Sequence, residues 1–179
     1  YQSDFSSMMI PKFLAPKRPN AITKIIYNGI DEGWAGKHEP NKDIFHIVSS
    51  AIWKRHKRLN EIIEIFIEFS KSHNAFLHIL GQNSDRNVYR NPKICYYGHI
   101  GYDKMVPIFR KANACLHLCK KDSCPNSVVE AIGAGIPVVT TNSCGGTTDI
   151  CQMTEGCIVC AGDGEYSDIA PAPHYTDKY

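Results

Sequence analysis

The sequence predicts a doubly wound α/β domain, a parallel, Rossmann-like sheet with helices on both faces. Three observations predict it. Short, nearly continuous apolar runs recur along the chain, amphipathic stretches with helical spacing separate several of them, and the order strand then helix repeats. Strands that read as unbroken apolar runs rather than as an alternation are buried on both faces, which is the condition of a parallel sheet with crossover helices. The size agrees, because 179 residues of which 43% are hydrophobic can close one core without staples.

Taken in order, residues 1–23 are rich in Pro, Lys and Ser and read as a linker or the remnant of a preceding domain. The runs expected as strands are Ile22 to Tyr27, Ile44 to Val48, Ala75 to Leu80, Ile94 to Tyr97, Ala114 to Leu118, Ile136 to Thr140 and Cys157 to Cys160. Between them, Leu59 to Phe69 sets Leu59, Ile62, Ile63, Phe66 and Ile67 at helical spacing, the pattern that buries one stripe. Asp103 to Asn113 and Asn126 to Ala134 read as further helices. In Gly133-Ala134-Gly135-Ile136-Pro137 the glycines follow a helix and precede a strand, the reverse of a dinucleotide fingerprint, so Gly135 reads as a helix C-terminal glycine. Residues 161–179 lack apolar periodicity and read as an irregular tail, which leaves 24–160 as the domain.

Composition removes several function classes. No apolar run is long enough to span a bilayer, and the first thirty residues, with Asp4, Pro11, Pro16 and Pro19, hold no signal-peptide core. The expected place is the cytoplasm or the cytosolic face of a membrane. Because the chain opens on Tyr1 rather than Met, it is expected to be a piece of something longer. A net charge of +2 is too small for a nucleic-acid partner, which demands a large one-signed field. Eight cysteines without a secretory signal read as free thiols. Cys157 and Cys160, three apart on an expected strand, point to opposite faces and suit neither zinc nor a redox pair, so no metal is expected.

In open parallel sheets, ligands sit beyond the carboxyl ends of the strands, where helix N-termini offer unpaired N–H groups. The first such turn carries Lys54, Arg55, His56, Lys57 and Arg58 ahead of an amphipathic helix. Cations there oppose the helix macrodipole, and an anionic ligand reverses the sign: two of them could neutralise a diphosphate. A solvated basic loop is the plainer alternative. The turn after Ala114 to Leu118 carries Asp122 and then Glu130, two carboxylates that could face one crevice. Against that, Ser127 and Glu130 fit a capping box. Gly145 and Gly146, after the Ile136 to Thr140 run, admit a close backbone approach to a ligand or an ordinary turn.

These segments together resemble the C-terminal domain of retaining glycosyltransferases of family 4 (group 1 type), which have the two-Rossmann-domain GT-B fold. The resemblance spans about Ile22 to Val159. Its most specific part is an acidic residue, seven residues, then Glu within Glu130-Ala131-Ile132-Gly133-Ala134-Gly135-Ile136-Pro137-Val138-Val139, with Asp122 as the first acid. Ile26-Tyr27-Asn28-Gly29-Ile30-Asp31, the basic loop, Leu80-Gly81, Gly98 and Gly145-Gly146 agree with it. The resemblance implies that Glu130 binds the ribose hydroxyls of a nucleotide sugar and that Asp122 lies near the donor sugar. It implies that Lys57, with Lys54 or Arg55, holds the diphosphate, and that Gly98 and His99 border the base. Amides near Ser127 and Val128 would assist the phosphate or sugar. Two departures stand out: Asp122 is shorter than the usual Glu, and Trp53-Lys54-Arg55-His56-Lys57 replaces a Gly-Arg pair followed by Lys-Gly.

The function expected is therefore hexosyl transfer from a nucleotide diphosphate sugar to an acceptor with retention, without a cofactor or obligatory metal. Its catalysis would be mostly positioning and electrostatics. The acceptor-binding N-terminal domain is expected to be the missing partner, and little turnover is expected without it. Two rivals remain: a nucleotide-sugar epimerase or phosphorylase on the same plan, and a non-catalytic α/β module that binds phosphorylated ligands or a protein.

Overall fold

The computed structural model describes residues 1–82 and 89–162. Of the expected tail at 161–179, residues 163–179 lie outside the described residues, as do residues 83–88. The six strands are β1 (Phe45–Ser50), β2 (Ala75–Leu80), β3 (Ile94–Gly98), β4 (Ala114–Leu116), β5 (Val138–Thr141) and β6 (Ile158–Cys160). The helices are α1 (Asp4–Phe13), α2 (Leu59–Phe69), α3 (Tyr102–Lys111), α4 (Asn126–Gly133) and α5 (Gly146–Gln152). All strand pairs are parallel, in the order β3-β2-β1-β4-β5-β6. That is the doubly wound arrangement, whose order reverses between β1 and β4.

Strands β1 to β5 divide their side chains between two cores, as parallel strands covered on both faces must. Ile47, Leu77, Ile79 and Leu116 pack with Ile62 and Phe66 of α2. Val48, Leu80 and Val138 pack with Phe109 of α3, Val128 and Ala131 of α4, and Ile150 of α5. Helix α2 has the bounds that its periodicity predicts. Helix α4 ends as predicted too: Gly135 has φ +79, and the amides of Gly135 and Ile136 donate to the carbonyls of Ile132 and Ala131, each at 2.9 Å. This is a Schellman closure.

Two expectations are corrected. The run Ile22 to Tyr27 is not a strand. Its recorded backbone bonds join Ile26 and Lys24 to Tyr1, and Ile22 and Ile26 are 93% and 70% exposed. An apolar run becomes a strand only where a neighbour completes its ladder, and this one has none. The first 23 residues, in turn, are not all linker. Ser3 caps α1 through a reciprocal bond with Ser6, Phe5 and Met9 are buried, and the amide of Phe5 donates to Asp149 of α5 at 2.8 Å. Pro11 sits in the last turns of α1, and Ile10 supplies the closing carbonyl for both Leu14 and Ala15. Helix α5 itself arises where the sequence offers only a glycine turn.

Across β1, β2 and β3, His46, His78 and Tyr97 form a chain at the side of a cleft also lined by Glu39, Lys111, Pro107 and Ile108. His46 Nδ1 lies 2.8 Å from His78 Nε2, and His78 Nδ1 lies 2.8 Å from Tyr97 Oη. Burial, with His46 adding to it, pushes His78 down to about 4, and burial also lowers His46. His117, at the end of β4, is likewise pushed down to about 4, by burial first and by Lys57 second. Imidazoles held below their unfolded value bind protons in the unfolded chain first. Their contribution is therefore complete above pH ~6.5 and is lost as pH falls from there toward about 4. Chemical denaturation at pH 7 and pH 4 should show a drop on the order of 3 kcal/mol from His117 alone. A stability flat across that range would contradict the neutral imidazoles.

Candidate functional site

The site forms at the carboxyl ends of β1 and β4, the two strands between which the sheet order reverses. Crossovers leave these strands toward opposite faces, so their end loops part and open a crevice. The loop after β1 is anchored by Trp53, which is 7% exposed. Its Nε1 donates to the Leu80 carbonyl at 2.8 Å, and its amide donates to the Gln82 carbonyl at 2.9 Å. A 3-10 turn, Arg55–Lys57, follows and is closed by Arg58 in the left-handed region, φ 58. This reversal leaves Arg55 exposed and Lys54 half-buried and turns Lys57 inward.

Lys57 Nζ forms an ion pair with Asp122 Oδ2, their side chains 18% and 21% exposed. Cys119 lies close enough to act on the same ammonium. Burial opposes the charge on Lys57, but Cys119 and Asp122 outweigh it and hold the lysine above its ordinary value. Cys119 is itself a neutral thiol, because burial pushes it up to about 11. A cation and an anion from the two loops thus meet across the switch point.

Helix α4 rises behind Asp122 and carries Ser127, Val128 and Glu130. Pro125 occupies its N-cap position and makes no side-chain cap bond. The expected capping box is therefore corrected: the helix starts at Asn126, so Ser127 and Glu130 are not its cap and third residue. Val128 is fully buried, and its amide donates to the Pro125 carbonyl at 3.1 Å. Backbone bonds from the amides of Asn126 and Ser127 are absent among the described residues, as at any helix start. Glu130 is half-buried, and burial raises its carboxyl above the ordinary value. Among the described residues it makes no hydrogen bond or ion pair. It does not join the Lys57–Asp122 pair, and its charge reaches instead toward Tyr102 at the start of α3. Gly98, which closes β3, lies in the left-handed region with φ 62, and His99 after it is exposed. Of the predicted residues, the structure pairs Lys57 with Asp122 and leaves Glu130 apart from that pair.

The surroundings hold residues that sequence reasoning did not single out. Asn28 donates through Nδ2 to the Cys124 carbonyl at 3.1 Å and to Asn126 Oδ1 at 2.7 Å, which ties the segment before β1 to the start of α4. The glycine pair serves the protein's own backbone. Gly146 donates its amide to the Asp122 carbonyl at 2.8 Å, and a Cβ on Gly145 would stand 2.8 Å from that same oxygen. His117 lies buried beside the ion pair. The signal for it was a polar residue closing an apolar run.

The sequence matches the family glycosyl transferases group 1 over residues 31–169, and the chain belongs to that family. No curated protein matches the sequence. Among solved structures, sucrose-phosphate synthase from Thermosynechococcus elongatus is similar, with TM-score 0.71 and 12% identity over 91% of this chain and 45% of that one. WaaG, a glycosyltransferase involved in lipopolysaccharide biosynthesis, gives 0.59 and 18% over 88% of this chain and 42% of its own. The C-terminal domain of LpcC from Francisella tularensis, a glycosyl transferase group 1 family protein, gives 0.58 and 14% over 78% of this chain and 83% of that domain. At these identities the likeness is one of fold. The chain spans less than half the length of the first two proteins. Among the described residues, no helix is long and apolar enough to cross a membrane.

Proposed function

We propose that this chain is the donor-binding half of a retaining glycosyltransferase that moves a hexosyl group from a nucleotide diphosphate sugar to an acceptor. The observation that carries the reading is the Lys57–Asp122 pair at the switch point, with the half-buried, unpaired carboxylate of Glu130 on the adjoining helix. Lys57, with Lys54 or Arg55 beside it, would take the diphosphate and neutralise the charge that develops as the sugar departs. Asp122 would then face the donor sugar. Glu130 would accept hydrogen bonds from the ribose hydroxyls, which would give its unpartnered carboxylate the donors it lacks. Gly98 and His99 would flank the base. The chemistry asks for positioning and fixed charge, which these residues can supply without a cofactor. A second, acceptor-binding domain would complete the site, with the whole acting in the cytoplasm or at the cytosolic face of a membrane.

Thermal unfolding with UDP, GDP, ADP and their hexose conjugates tests this. A ligand at a hundred times its dissociation constant adds about 2.7 kcal/mol, a shift of roughly 5 to 10 °C at this size. One base should give that shift, and Glu130→Ala should abolish it. A shift that survives in Glu130→Ala would remove Glu130 from the nucleotide site.

A further inference from the structure

A buried imidazole at the same strand edge has no part in the reading above. His117 is 4% exposed, and its backbone is fixed on both sides: its amide donates to the Val139 carbonyl at 3.1 Å, and its carbonyl accepts from Thr140 Oγ1 at 2.7 Å. Thr147 Oγ1 of α5 stands 3.0 Å from Nδ1. Nε2, equally buried, has no hydrogen-bond partner among the described residues. A buried polar atom without a partner costs about 1–3 kcal/mol, so one held in place by three neighbouring bonds calls for an occupant in another state of the molecule. The charged groups that act on the ring are Lys57, from the loop after β1, and Asp122, from the loop after β4. Cys119 of that second loop is a neutral thiol close to Lys57. Helix α5 and strand β5 present Thr147 and Thr140, which do not titrate.

The Lys57 ammonium is at present the counter-ion of Asp122. A diphosphate that recruits this lysine takes it from the carboxylate, and a partly buried carboxylate left without its cation is strongly disfavoured. We propose that His117 is a positioning residue for Asp122: when the diphosphate draws Lys57 away, Asp122 passes to the Nε2–H of a protonated His117, so that the donor binds together with a proton from solvent. This inference rests on the donor-binding reading. Electrostatics favour the exchange in both of its parts. Lys57, which adds to burial in keeping the ring neutral, moves off, and negative charge arrives. The opened pair therefore brings the imidazole from its depressed value toward neutrality.

Isothermal titration calorimetry of the chain with UDP-glucose, GDP-mannose and ADP-glucose tests it, run at pH 6.5 and 7.5 in buffers of different ionisation enthalpy. These diphosphates are doubly esterified and do not titrate in that range, so any proton taken up belongs to the protein. The expected heats for the nucleotide sugar that binds vary with the buffer's ionisation enthalpy, in the direction of uptake and by up to one proton. Its affinity should rise on going to pH 6.5 by up to about tenfold. His117→Gln, which places an amide where Nε2 stands but cannot take the proton, should bind with heats independent of buffer and affinity independent of pH. Wild-type binding with no buffer dependence would overturn the inference while leaving the donor reading intact, and it needs no variant to fold. Uptake that persists in His117→Gln would move the proton to another group and overturn it as well. No binding of any of the three would sink the donor reading and this inference together.

Discussion

Lys57→Met should bind the cognate nucleoside diphosphate about 30-fold more weakly or worse, because truncating one partner of a desolvated charge pair typically costs 2–5 kcal/mol. Methionine keeps the length of the stem and removes only the cation. Asp122→Asn should act in the opposite direction on the same ligand. In the free chain the two side chains neutralise each other, and a diphosphate must compete with Asp122 for the ammonium. Removing the carboxylate's charge removes the competitor, so the nucleoside diphosphate, which carries no sugar for Asp122 to touch, should bind several-fold more tightly. Both variants should fold. Side chains 18% and 21% exposed lie between the surface and buried limits, and breaking such a pair should cost about 1–2 kcal/mol. Calorimetric titration of the two variants side by side checks the argument. Equal weakening in both would mean that Asp122 supports the phosphate site instead of competing for Lys57.

Gly146→Ala should lower stability by about 3 kcal/mol or more and the melting temperature by roughly 10 °C. A Cβ at this position would fall inside the van der Waals shell of the Ser123 carbonyl oxygen, with Ser3 Oγ a further 2.9 Å contact. The first obstacle is backbone, so no side-chain rotation relieves it. The loop that carries Asp122 would have to lift from α5, breaking the 2.8 Å bond from the Gly146 amide to the Asp122 carbonyl. Gly29→Ala is the control, since nothing lies within 4 Å of its Cβ position. Thermal unfolding of the two variants decides the matter. If Gly146→Ala melted with the control, α5 would not be docked on the Asp122 loop.

The elements that the sequence made legible are those whose signal is local. Leu59 to Phe69 carries its own period, and α2 has those bounds. Gly135 and Pro137 mark the end of α4 and the start of β5 through backbone chemistry that needs no partner. Asp122 and Glu130 stood out through their spacing, an acid and then, after seven residues, Glu at the head of the Glu130 to Val139 run. Ile22 to Tyr27 misled, because apolarity reports the wish to be buried and says nothing about whether a neighbouring strand is free. Helix α1 was hidden by Pro11 within it and by the fact that Phe5 and Met9 are buried where it packs on α5, a helix that was itself illegible. His117 looked like one residue of a strand, Leu116-His117-Leu118.

By itself, then, the sequence determined the fold class, its six strands with helices α2, α3 and α4, and the residue types that suggest a diphosphate ligand. These follow from periodicities and turn chemistry that act over a few residues. Only the tertiary structure decided that the sheet reverses between β1 and β4, that Lys57 turns inward to meet Asp122 while Arg55 stays outside, and that Glu130 stands apart from that pair. It also decided that Gly146 meets the Asp122 loop and that His117 is buried beside the ion pair. Each of those depends on which distant loops the sheet order brings together, and charge pairing and burial are fixed by that proximity, which spacing along the chain does not encode.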